Sequence, residues 1–203
     1  MKKILAILSL LIFTATFSNI TFAGEAQSKV EQLITGFKNY KKGNSGSVKN
    51  IEKVLNLDFM AQRSMNFHWP KMSDNEKKEF LDIFKKLVEK MAYEKSGTYF
   101  KNNKYTFVSE KRISKKDYLL SRKKEKLSIT AVKLKVDYKT GTGIKKENIV
   151  FYLIKRPEGL VVFDVELLDG SLVKDYRNQF SRTKRKKGGI KGLINSMKDK
   201  YNE

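Results

Sequence analysis

Chemistry in this chain has few residues to rest on. His68 is the only histidine and there is no cysteine, so multi-histidine and thiolate metal sites are both excluded. A lone histidine beside Trp69 at the end of a helical stretch reads as structural rather than as a general base. No Gly-x-Ser-x-Gly elbow, glycine-rich phosphate loop or EF-hand spacing occurs. Asp164 is the best carboxylate candidate, because it sits inside the apolar run Val161–Leu168. No acid or base lies near it in sequence to complete a catalytic pair. It reads instead as a strand aspartate accepting bonds from backbone amides or from Arg177. The run Lys184-Arg185-Lys186-Lys187-Gly188 could bind an anion, but cations and a glycine also suit the C-terminus of a helix. No catalytic residue, metal or cofactor is expected.

The elements that carry these residues fall into two halves. Val30, Leu33, Ile34, Phe37 and Tyr40 recur at helical spacing, and a short helix is expected over Val48 to Leu55. Leu57, Met60, Ala61, Ser64, Met65 and His68 share one face, with Pro70 as the stop. Ser73-Asp74-Asn75-Glu76 is a capping box, and behind it Phe80, Ile83, Phe84, Leu87, Val88 and Met91 form a broad apolar stripe. That helix should stop at Tyr93 or Lys95, ahead of Gly97.

The period then changes to two. Tyr105–Ser109, Asp117–Ser121, Leu127–Tyr138, Asn148–Arg156 and Leu160–Leu168 read as strands, with glycine turns at 140–143 and 156–159. In the long strand the apolar residues shift from Leu127, Ile129 and Ala131 to Val132, Leu134 and Val136, which suggests a bulge or a sharp bend. Val161, Phe163, Val165 and Leu167 should form one apolar face, with Asp164 on the other. Helices over Ser171–Lys184 and Gly189–Tyr201 close the chain. The fold class is α+β: a helical N-terminal half on a curved antiparallel sheet with C-terminal helices, enclosing an apolar cavity.

Residues 1–23 read as a cleaved secretory signal. Lys2 and Lys3 precede the apolar stretch Ile4–Phe17, and Thr21-Phe22-Ala23 offers small residues where a signal peptidase cuts. Residues 24–203 then form a single domain of an exported, periplasmic protein, expected to be a monomer. Without Lys2 and Lys3 it keeps 41 of its 43 basic residues against 22 acidic ones, a net +19. Nucleic acid is not the expected partner, because the chain is exported, only seven of the cations are arginines and the lysines are spread along its length. A positive surface favours anionic lipid or acidic proteins instead.

The segment "GLVVFDVELLDGSLVKDYRNQF" resembles the C-terminal signature of the MlaC, or toluene-tolerance, family. That pattern has a Gly-Trp entering a strand, Tyr-Asp-Val, a Gly-Ser break, a Tyr-Arg-x-x-Phe helix and a glycine-led final helix. The chain supplies Gly159, Phe163-Asp164-Val165, Gly170-Ser171, Tyr176-Arg177, Phe180 and Gly188-Gly189. It departs at Leu160, where the family usually has tryptophan, and at Asn66, where glycine is common. The Leu57–Trp69 segment is also a little shorter.

The resemblance implies a periplasmic phospholipid carrier. Its partners would be an inner-membrane ABC transporter complex and an outer-membrane lipoprotein complex. Acyl chains would lie between helices and sheet. The lipid-lining candidates are Met65, Phe80, Phe84, Leu87, Met91, Val132, Leu134, Val136, Phe163, Val165 and Leu167. Three other readings stay open at this point: a hopanoid-type cargo, a basic envelope adaptor with a solid core, and a small-molecule enzyme on a cone-shaped fold. Intact-mass measurement of the exported protein should show loss of the first 23 residues; a chain that keeps Met1-Lys2-Lys3 in the membrane fraction would contradict the signal assignment.

Overall fold

The computed structural model describes residues 24–113, 128–168 and 170–203. The expected strand Asp117–Ser121 lies outside them. The fold is mixed α+β. Helices α1 (Glu25–Lys38), α2 (Ser45–Glu52), α3 (Leu57–Met65), α4 (Asp74–Val88) and α5 (Glu94–Asn102) come first. Strands β1 (Lys104–Ile113), β2 (Ile129–Thr140), β3 (Gly143–Arg156), β4 (Gly159–Leu167) and β5 (Gly170–Ser171) follow, then α6 (Leu172–Lys186) and α7 (Ile190–Asn202). The five strands form one antiparallel sheet in sequence order.

Helix α1 buries Ala26, Val30, Leu33, Ile34 and Phe37, one stripe at three- and four-residue spacing. The capping box forms as its sequence requires. Ser73 Oγ accepts from the Glu76 amide at 3.2 Å and the Glu76 carboxylate accepts from the Ser73 amide at 2.9 Å. Two orphan donors at the start of α4 are thereby satisfied.

Gly97 does not stop the helix, as its type suggests it should. The chain runs through a π-helical turn, Glu89–Tyr93, straight into α5. Gly97 serves a different purpose there: a Cβ at this position would lie 2.3 Å from the Phe37 carbonyl oxygen. The glycine lets α5 lie directly on the end of α1. Helix α3, in contrast, is shorter than its apolar face suggests. Asn66 has φ +50°, the region that favours glycine, and residues Asn66–Lys71 continue as a 3-10 turn.

The bulge expected in β2 is not there. Its register with β3 runs unbroken from Ile129↔Ile154 to Thr140↔Gly143. The apolar shift has another cause, which is that the sheet is buried on both faces at one end. Val132, Leu134 and Val136 face the main core, and Ile129 joins a second cluster with Phe59, Ile154, Val161 and Phe163.

The irregularities lie in β1, between Phe107 and Ser109, and in β4, where Tyr152 pairs with Asp164 and Leu153 with Val162. Phe163 is therefore an extra residue, and it shifts the side-chain alternation of the strand. Val161 and Phe163 belong to the second cluster, where Phe59 meets Phe163 edge-on at 5.3 Å. Val162, and after the bulge Val165 and Leu167, pack with the main core. The expectation of one continuous Val161–Leu167 face is corrected accordingly.

Gly97→Ala should cost about 1–3 kcal/mol, as overpacking does, read as a lower urea midpoint with an unchanged slope. An unaltered midpoint would show that α1 and α5 can separate freely.

Candidate functional site

The main cavity, about 330 Å³, lies between the helices and the sheet. Leu33 and Phe37 of α1, Leu55, Met60 of α3 and Val88 of α4 line it, with Ala92 and Tyr93 of the π turn. Tyr99 and Phe100 of α5, Ile149 and Phe151 of β3, Val165 and Leu167 of β4, and Leu172 and Tyr176 of α6 complete the wall. The polar contributions are Lys95, Ser96 and Glu147. Lys95 is exposed and the other two are half-buried, so the polar side faces solvent. Burial, and then the Glu147 carboxylate, push the Tyr99 hydroxyl up to about 12. Burial also raises Tyr93 and Tyr176. At physiological pH these hydroxyls stay neutral, so the interior carries no tyrosinate charge.

Asp164 holds one wall of this cavity in place. It is fully buried and its carboxylate accepts from the amides of Val165 at 2.8 Å and Val173 at 3.0 Å. It also accepts from the Ser171 hydroxyl at 2.5 Å. Ser171 in turn caps α6, accepting from the Lys174 amide at 3.1 Å. A carboxylate at the first turn of a helix is favoured by the helix dipole and by charge-assisted bonds. The Arg177 guanidinium donates to the Arg63 carbonyl at 3.1 Å, tying α6 to α3 as well. These contacts fix Leu172 and Tyr176 opposite β3 and β4. Asp164 thus positions β4 and α6 against each other.

His68 lies beside the C-terminal end of α6. Lys184 Nζ is 3.1 Å from its ring, and Phe67 packs on it with centroids 4.1 Å apart. Burial and the neighbouring Lys184 and Lys71 lower its pKa, so the neutral ring accepts from the lysine. Among the described residues no three His, Cys, Asp or Glu side chains gather where they could hold a metal ion. A wider groove of about 590 Å³ on α1, α2 and β1 is lined by Gln27, Gln32, Asn39 and Asn50 together with Thr35, Val54 and Phe107.

Of the residues singled out from sequence, Val165 and Leu167 line the main cavity. Phe84, Leu87 and Met91 line a second cavity of about 270 Å³ between α4, α6 and α7. Phe80 packs among Trp69, Phe84 and Phe180. Met65, Val132, Leu134 and Val136 are buried in the main core without bordering either cavity, and Phe163 is on the other face of the sheet. Sequence reasoning misses Tyr99 and Phe100, because Gly97 reads as a helix stop. It finds the Leu33–Phe37 stripe, but nothing in a stripe separates cavity wall from solid core.

The MlaC protein family matches residues 37–199. The chain belongs to that family. No curated protein sequence matches it. Among solved structures it is similar to a phospholipid-binding protein from Ralstonia solanacearum, determined in complex with a phospholipid. The two share 17% identity and a TM-score of 0.63, over 87% of this chain and 94% of that one. At that identity the likeness establishes a common fold.

Tyr93 is wholly buried, and its hydroxyl has no hydrogen-bond partner among the described residues. Tyr93→Phe should therefore stabilise the protein, by about 1 kcal/mol, because an unsatisfied buried hydroxyl is removed. Thermal unfolding measures this; a fall of similar size would mean that an ordered water serves the hydroxyl.

Proposed function

We propose that this MlaC-family protein is a periplasmic phospholipid carrier that moves lipid between an outer-membrane lipoprotein complex and an inner-membrane ABC transporter complex, maintaining outer-membrane lipid asymmetry. The observation that carries the reading is the main cavity, walled by apolar side chains of α1, α3, α4, α5, α6, β3 and β4 with polar groups on its solvent side. Family membership and the phospholipid described in the Ralstonia structure support it. No helix among the described residues is long and apolar enough to cross a membrane.

Two acyl chains of about 16 carbons hold roughly 30 methylenes, so water would oppose their transfer by about 25 kcal/mol at ~0.8 each. A hydrocarbon-like cavity removes that barrier. It must not exceed the bilayer's own affinity by much, or the lipid would not leave. Burial in hydrocarbon breaks no covalent bond, so the carrier needs no catalytic residue.

On this reading Val165 and Leu167 touch acyl chain. Leu87, Phe84 and Met91 do so only if the second cavity is also occupied. A charge at Val165 would oppose hydrocarbon beside it, yet it can be hydrated once the cavity is empty. Val165→Asp should give a cooperatively folded protein without co-purifying phospholipid in native mass spectrometry, against loaded wild type. A folded variant that still carries a full complement of lipid would contradict the assignment. Failure to fold would place Val165 in solid core, and Leu167→Asp, nearer the end of β4, then repeats the test.

A further inference from the structure

The two apolar cavities share a wall. Val88 and Tyr176 line both. The main cavity, at about 330 Å³, is at the small end of the roughly 300–1,000 Å³ that pockets for drug-sized ligands span. A two-chain lipid is larger than such ligands, so this space suits one chain and not two. The second cavity adds about 270 Å³ on the far side of the same wall, with Leu87, Met91, Phe180, Leu193 and Met197 around it beside the polar Gln179, Thr183 and Lys200. Resting on the carrier reading, we propose that it is the compartment for the second acyl chain of the bound lipid, with Tyr176 as the partition between the two chains.

Three features of the wall fit that role. The partition is held by ring contacts: Tyr176 stacks on Phe180 with centroids 5.7 Å apart and planes 10° apart, and meets Phe84 edge-on at 5.3 Å. Offset and edge-on ring geometries are both favourable. The π-helical turn lies at the junction as well. Val88 ends α4 and serves both cavities, Met91 turns to the second, and Ala92 and Tyr93 turn to the main one. Extra-wide helical turns of this kind occur frequently at functional sites. Finally, Met91 and Met197 are both in the wall of the second cavity, and their unbranched side chains adapt to a pliable ligand. Met91 is 48% exposed, an apolar side chain that a hydrocarbon occupant would cover.

The direct test is to load the full-length mature protein from vesicles of a phosphatidylglycerol brominated in both chains, crystallise it and locate bromine by anomalous scattering. One brominated chain in each cavity, divided by Tyr176, is the expected result. Both brominated chains in the main cavity would overturn the proposal while leaving the carrier reading intact. No loading at all would overturn the carrier reading, and this proposal with it.

A plugging variant gives a second readout. Ser196 lines the second cavity from α7, and Ser196→Phe would fill it. Retention of the two-chain lipid should fall by about tenfold or more, while that of single-chain lysophosphatidylglycerol stays within about twofold of wild type. Equal retention of both by a folded variant would overturn the proposal. If the variant does not fold, the bromine positions decide alone.

Discussion

The carboxylate of Asp164 joins the bulged strand β4 to the first turn of α6, and the cavity walls those two elements supply meet at that joint. The extra residue Phe163 shifts the alternation of the strand, so Val162 before it and Val165 and Leu167 after it all pack with the helical core. The same irregularity leaves Asp164 buried, where the amides of Val165 and Val173 and the Ser171 hydroxyl converge on it. A buried carboxyl group is tolerated inside a protein only when such donors replace its water. Removing it would strand several polar groups together and release the helix that carries Leu172 and Tyr176. The opposite wall depends on a second close approach, Gly97 against the Phe37 carbonyl, which sets α5 on α1.

Between these two joints the protein encloses apolar space that it does not fill. Interiors normally pack as densely as organic crystals, and unfilled volume lowers stability. A cavity of about 330 Å³ lined by Leu33, Phe37, Phe151 and Leu167 is therefore retained against a stability cost, which a hydrocarbon occupant would offset. The charge distribution agrees with that use. The charged residues that line the cavity, Lys95 and Glu147, stay on its solvent side, and the neutral tyrosines keep the lining free of tyrosinate. Among the described residues no lysine is buried, and attraction of such charges to anionic surfaces is long-ranged at low salt and screened beyond about 8 Å at physiological ionic strength.

Much of this is legible in the sequence, and what is not has physical causes. The capping box, the α1 stripe and the strand-to-helix passage at Gly170-Ser171 follow from local pattern alone. The C-terminal signature points to the family without any coordinates. Pattern misleads where a residue type has two uses. Gly97 reads as a stop because glycine ends helices, whereas here it serves a contact with the distant Phe37. The alternation of β2 reads as a bulge because a strand buried on both faces at one end mimics a slip in parity. The bulge in β4 is invisible, since Phe163 is as apolar as its neighbours and only pairing with Tyr152 and Leu153 reveals it. For the same reason, membership in a cavity wall is not readable. Leu134 in the solid core and Ile149 in the cavity wall carry the same chemistry and differ only in what lies beyond them.

The central claim, that this protein takes phospholipid out of a bilayer and holds it in water, is tested most directly by transfer. Lipid-free mature protein is incubated with phosphatidylglycerol vesicles, the vesicles are sedimented, and lipid in the supernatant is quantified by extraction and mass spectrometry. The account predicts phospholipid in fixed stoichiometry with the protein, rising to saturation as vesicles are added. A supernatant holding folded protein and no lipid, whatever the vesicle concentration, would contradict it.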